Sequence, residues 1–116
     1  VESDRVAVED AHRNLRDTPW ATVTCGRVDG VLRRRPVTPV DVVVLDPPRA
    51  GAGASVVRAV TLRRPRAVAY VACDPAALAR DVRTFGELGY PLSALRAFDA
   101  FPMTHHVECV ATFGPR

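Results

Sequence analysis

Cys73 closes the apolar run Ala67-Val68-Ala69-Tyr70-Val71-Ala72 and is followed at once by Asp74-Pro75 and a helix-like stretch. A thiol at such a strand-to-helix junction lies where the free N–H groups and dipole of a helix start favour negative charge, which makes it a candidate nucleophile. A second reactive group, Asp46-Pro47-Pro48-Arg49, directly follows the apolar run Val42-Val43-Val44-Leu45. If both runs are parallel strands, Asp46 and Cys73 share the carboxyl edge at which open α/β sheets bind ligands. Taken singly, each signal has a plainer reading. Asp-Pro suits a stiff turn, a lone cysteine suits an apolar core, and Glu108 suits a strand end.

The elements that must hold these groups follow from apolar spacing. Asp4 can cap a helix over about Arg5 to Asp17, with Val8, Ala11 and Leu15 on one face and Thr18-Pro19 as its stop. Ala21 to Cys25 has strand character, and Val28 to Arg35 suits one short helix. Val42 to Leu45 and Ala67 to Ala72 are apolar without alternation, as expected of central strands covered by helices on both faces. Between them, Ser55 to Leu62 is a short crossover helix ended near Pro65. After Cys73, Asp74 caps a helix with Pro75 at its first position; Leu78, Val82 and Phe85 form its apolar stripe, and Gly89 stops it. Leu92 to Phe98 and Val107 to Phe113 are two further strands, and the short link between them favours antiparallel pairing.

Composition sets bounds on the whole. A chain of 116 residues, 47% hydrophobic and 25% charged, fits one globular domain or a large piece of one. No run approaches the roughly 20 apolar residues of a membrane span, and Val1 to Asp10 lacks a signal-peptide layout. A cytoplasmic protein without membrane association is therefore expected. Cys25, Cys73 and Cys109 show neither CxxC nor metal-ligand spacing, so reduced thiols and no metal are expected. Cys25 and Cys109 fall in apolar strand patterns and are expected in the core. The net charge of +3 comes from 16 basic residues, all arginine, and is a weak pointer to nucleic acid. Arg33-Arg34-Arg35 is expected to form a solvated face. Gly51-Ala52-Gly53 lacks phosphate-loop spacing and is expected to let the chain turn close to a ligand. His105 and His106, on an extended segment, would point to opposite sides, leaving His106 structural.

Three segments in order, Asp46-Pro-Pro-Arg49-Ala-Gly51, Tyr70-Val-Ala-Cys73-Asp-Pro75-Ala-Ala-Leu-Ala-Arg80-Asp81 and Asp99-Ala-Phe-Pro102-Met-Thr104-His-His-Val-Glu108, together resemble the RNA 5-methyluridine methyltransferase family. The agreement runs from about Asp41 to Phe113, with Val1 to Val40 fitting only through its order of elements. The resemblance implies an α/β, Rossmann-like class I methyltransferase fold whose last strand is antiparallel. It also implies S-adenosylmethionine as donor and transfer or ribosomal RNA as partner. In the resembled chemistry, a thiolate adds to C6 of uracil to make C5 nucleophilic, and a base later removes the C5 proton. Position by position, Cys73 matches the nucleophile and Glu108 the base. Asp46 matches the motif acid near donor and target base, and Glu2 the acid that binds the donor's ribose. Arg49, Thr104 and His106 fall among the substrate-contacting positions.

The chain departs from the family's usual Ser-Cys-Asn-Pro by carrying Ala72-Cys73-Asp74-Pro75, and a carboxylate beside the thiol opposes thiolate formation. The first strand, the glycine-rich donor loop and the first helix of the resembled fold would precede Val1. The chain is thus expected to be the C-terminal part of one catalytic domain, inactive alone, which needs its N-terminal half or a partner chain to complete the sheet. Two other readings stay open at this stage: a noncatalytic RNA-binding or scaffold fragment, and an amino-group methyltransferase, which needs no cysteine. A thiol-redox role ranks behind them for want of a resolving cysteine.

Overall fold

The computed structural model describes residues 1–116 and divides into two compact units, Val1–Pro36 and Val37–Arg116. No helix is long and apolar enough to cross a membrane.

In the first unit, α1 spans Arg5–Asn14, its N-terminus capped by Asp4, which accepts a hydrogen bond from the Ala7 amide at 3.0 Å. It ends three residues before the expected Asp17. The following turn, closed by Thr18 N–H to Leu15 O at 2.9 Å, leads into Thr18-Pro19, and the residue before a proline disfavours helix. α2 spans Val28–Arg34, and Arg33 pairs with Asp29 on its exposed face. The expected strand over Ala21 to Cys25 shrinks to one parallel bridge, Glu2 to Cys25. A strand exists only where a neighbour takes up its backbone groups, and Glu2 alone does so, donating to Thr24 O and accepting from Gly26 N–H. With no second layer over it, Cys25 is exposed rather than in the core.

The second unit holds a four-stranded sheet in the order β1-β2-β4-β3, formed by β1 (Val42–Leu45), β2 (Ala67–Ala72), β3 (Leu92–Phe98) and β4 (Glu108–Phe113). β1 and β2 are parallel, so a crossover must join them, and α3 (Gly53–Thr61) supplies it. β4 runs antiparallel to both neighbours, as expected. β2 is interior, but β1 is an edge strand, with Val42 47% and Val44 69% exposed. The expectation that both strands are central and covered on both faces therefore fails for β1. It is also revised for β2, which alternates: Val68, Tyr70 and Ala72 are buried, whereas Ala67, Ala69 and Val71 are half-buried.

α4 (Pro75–Glu87) covers the buried face. Its Phe85 stacks on Phe113 of β4 with ring centroids 4.3 Å apart, and Tyr70 meets Phe113 edge-on at 6.5 Å. Val57 and Val60 of α3 and Leu78 of α4 complete this core. The end of α4 is a Schellman motif, with Tyr90 N–H to Phe85 O at 2.9 Å and Gly89 N–H to Gly86 O at 3.2 Å. Gly89 takes φ +84°, a conformation that only glycine adopts freely. By ending α4 there, the sequence returns the chain to the sheet as β3.

Candidate active site

The register brings three of the sequence-derived residues to one edge of the second unit. Leu45 pairs with Tyr70, so Asp46 leaves β1 alongside the last turn of the pleat before Cys73. Ala72 pairs with Cys109, so Cys73 and Glu108 are the next residues outward from that pair. Asp46 is exposed, while Cys73 and Glu108 are half-buried. A thiol and a carboxylate at one sheet edge can serve as nucleophile and base toward one ring.

Asp74 caps α4, accepting from the Ala77 amide at 2.7 Å. Pro75, at the first helical position, has no N–H to offer. The helix start behind Cys73 thus already carries a carboxylate of its own. The positive end expected to assist the thiol is partly taken by Asp74.

The loop between β3 and β4, residues 99–107, is a set of turns rather than the expected extended segment. Thr104 braces it: its hydroxyl donates to Phe101 O at 2.7 Å and accepts from the His106 amide at 3.2 Å. The turns place the rings of His105 and His106 side by side, centroids 4.4 Å apart, instead of on opposite sides. Phe101 meets His106 edge-on at 6.4 Å. His106 Nε2 lies 3.2 Å from Arg49 Nη2. A guanidinium has only donors, so in a hydrogen bond between them Nε2 is the acceptor. Arg49 and His106 therefore tie the loop after β1 to the loop before β4.

Glu2 lies in the other unit. Its Oε1 accepts from the amides of Asp4 at 2.8 Å and Ser3 at 2.5 Å. These backbone donors, Asp4 first and Ser3 second, lower its pKa below the usual carboxylate value.

The sequence reading missed Tyr70 and Asp81. Asp81 is 4% exposed and accepts from the Tyr70 hydroxyl at 2.6 Å, from the Ala52 amide at 2.8 Å and from the Gly53 amide at 3.2 Å. Gly51, at φ +87°, passes so near that a Cβ there would lie 2.8 Å from Asp81 Oδ2. Gly51 turns the chain close to a carboxylate of its own. Two signals pointed here: a hydroxyl inside an apolar strand must find a partner, and a carboxylate interrupts the Leu78–Phe85 stripe. Burial, reinforced by donation to Asp81, pushes the Tyr70 phenol well above its ordinary value of 10.0. The folded chain holds that proton more tightly than the unfolded one, so the contribution is intact below pH 10 and lost as pH rises beyond it. Denaturation midpoints followed through alkaline pH should thus fall less steeply in Tyr70→Phe than in the unchanged protein.

An apolar cavity of about 260 Å³ between α4 and β3–β4 is lined by Pro75, Leu78, Ala79, Val82, Leu95 and Cys109. It has no charged group to orient a polar ring, unlike the edge that carries Asp46, Cys73 and Glu108.

A family model described as tRNA (uracil-5-)-methyltransferase matches residues 35–113. The chain belongs to that family. The match covers the second unit and leaves most of the first outside, in line with the looser resemblance of Val1 to Val40. An uncharacterised RNA methyltransferase of Streptomyces avermitilis is 54% identical over 115 residues, which are 99% of this chain and 27% of that protein. Another from Bifidobacterium longum is 50% identical over 97% of this chain and 27% of its own length. The solved tRNA (uracil-54, C5)-methyltransferase of Pyrococcus abyssi, in complex with S-adenosyl-L-homocysteine, superposes with a TM-score of 0.76 at 34% identity, covering 96% of this chain and 27% of that one. The chain spans about a quarter of the length of these relatives. Its mixed sheet is a part of the Rossmann-like class I methyltransferase fold.

Proposed function

We propose that this chain, within a protein of its relatives' length, methylates C5 of uridine in transfer or ribosomal RNA in the cytoplasm, with S-adenosylmethionine as donor. The observation that carries the reading is the arrival of Asp46, Cys73 and Glu108 at one sheet edge, in a chain matching the tRNA (uracil-5-)-methyltransferase model.

The residues present suit that donor. Asp46 is an exposed carboxylate at the carboxyl edge of β1, where open α/β sheets bind ligands. When bound, S-adenosylmethionine supplies an electrophilic methyl group on a sulfonium. Cys73 Sγ, as thiolate, forms a bond to C6 of the uracil, and the C5–C6 π electrons become an enolate with nucleophilic C5. After methyl transfer, Glu108 takes the C5 proton, the C5–C6 double bond re-forms and the thiolate leaves. Asp46 and Arg49 hold the base at the edge, with His106 fixing the guanidinium, and Thr104 sets the loop that precedes Glu108. Phe101 and the paired histidines offer flat faces beside that loop for an unstacked base.

Deleting the gene for the full-length protein tests this directly. Mass spectrometry of cellular RNA should show 5-methyluridine lost at defined positions and restored by the gene but not by its Cys73→Ala form. An unchanged 5-methyluridine content would remove the reading.

A further inference from the structure

We propose that Asp81 is a positioning residue: through the Ala52 and Gly53 amides and the Tyr70 hydroxyl it sets the loop Asp46–Ala52 against α4, and with it Asp46 and Arg49. The inference rests on the proposed chemistry for its kinetic consequence, but not for its structural one.

The loop between β1 and α3 has no strand partner, and its internal backbone tie is Gly51 N–H to Pro48 O at 2.8 Å. Besides the Arg49–His106 contact, its anchors converge on Asp81, with the Ala52 amide also donating to the Tyr70 hydroxyl at 3.0 Å. Asp81 belongs to the same helix whose start follows Cys73, seven residues or about two turns beyond the Asp74 cap. One rigid element therefore carries both the flank of the thiol and the clamp on the Asp46 loop. A buried carboxylate is a poor choice for stability alone, because an apolar side chain in the Leu78–Phe85 stripe would avoid its desolvation. Three converging donors make it a good choice for fixing a loop. Gly51 is part of the same device, since any side chain there would collide with the carboxylate.

The test uses the full-length protein and RNA extracted from cells lacking its gene, with methyl-labelled S-adenosylmethionine. Asp81→Ala and Gly51→Ala should each lower kcat per folded molecule, by up to about 100-fold, the scale of a displacement near 1 Å, while KM for RNA changes far less. Asp81→Asn, which keeps one accepting oxygen, should recover part of the loss. Hydrogen exchange at the Ala52 and Gly53 amides should quicken in Asp81→Ala while β2 stays protected. Unchanged kcat in Gly51→Ala, whose Asp81 and core are intact, overturns the positioning role even if Asp81→Ala fails to fold. Unchanged exchange at those two amides overturns the clamp whatever the chemistry, and a failure of the uridine reading alone leaves that exchange result standing.

Discussion

Cys73→Ala in the full-length protein should abolish methylation of RNA and leave no protein–RNA adduct, while the fold persists. The thiol stands at the end of β2 beside Glu108 and makes no hydrogen bond that holds the core, so its loss removes a reactant and little structure. Uracil C5 is too weakly nucleophilic to take a methyl group unaided, so without addition at C6 there is no enolate to react. The expected fall in kcat is on the order of 10⁴-fold or more, the scale on which removal of a covalent nucleophile acts. RNA containing 5-fluorouridine gives the sharper readout. Once the methyl group is on C5, fluorine occupies the place of the proton, elimination is blocked, and the Cys73–C6 bond should survive denaturing electrophoresis. An alanine variant that still transfers methyl groups would point instead to transfer onto an exocyclic nitrogen, which needs no thiol. The same experiment reports on Asp74. Its carboxylate stands beside the thiol but is engaged with the Ala77 amide, so Asp74→Asn, which keeps a capping oxygen, should form the adduct at least as fast.

Much of this site was legible in the sequence because its parts sit where local rules are strong. Asp74-Pro75 announces a helix start whatever surrounds it, and Asp46 and Glu108 are fixed to strand ends by the apolar runs beside them. The apolar run of β1 alone was not enough to place it, since an unalternated run says what a strand can bury but not which neighbours it has. Ala21 to Cys25 failed for the same reason: strand character without a partner yields one bridge. The histidine pair failed through a different gap. Alternation holds for an extended chain, and the turns braced by Thr104, with Met103 at φ +67°, are not extended. Asp81 was hidden because its meaning is long-range: the amides that it receives lie 28 and 29 residues away. No local pattern carries that.

Glu108→Gln should separate the two halves of the reaction that Cys73→Ala removes together. Glutamine keeps the size and the place of Glu108, the first residue of β4 after the loop braced by Thr104, but cannot accept the C5 proton. Thiolate addition and methyl transfer do not need that acceptor, so the adduct should form with ordinary uridine RNA, already methylated at C5. Release should slow by about 10²- to 10⁴-fold, the range that a positioned base contributes, and the stalled species should be visible by mass spectrometry as protein joined to methylated RNA. Glu108 is half-buried on the strand neighbouring the end of β2. Normal turnover in the glutamine variant would take Glu108 out of the mechanism. A variant that forms no adduct would move its role earlier, to the addition step, and the proton at C5 would need another acceptor, for which Asp46 at the same edge is a candidate.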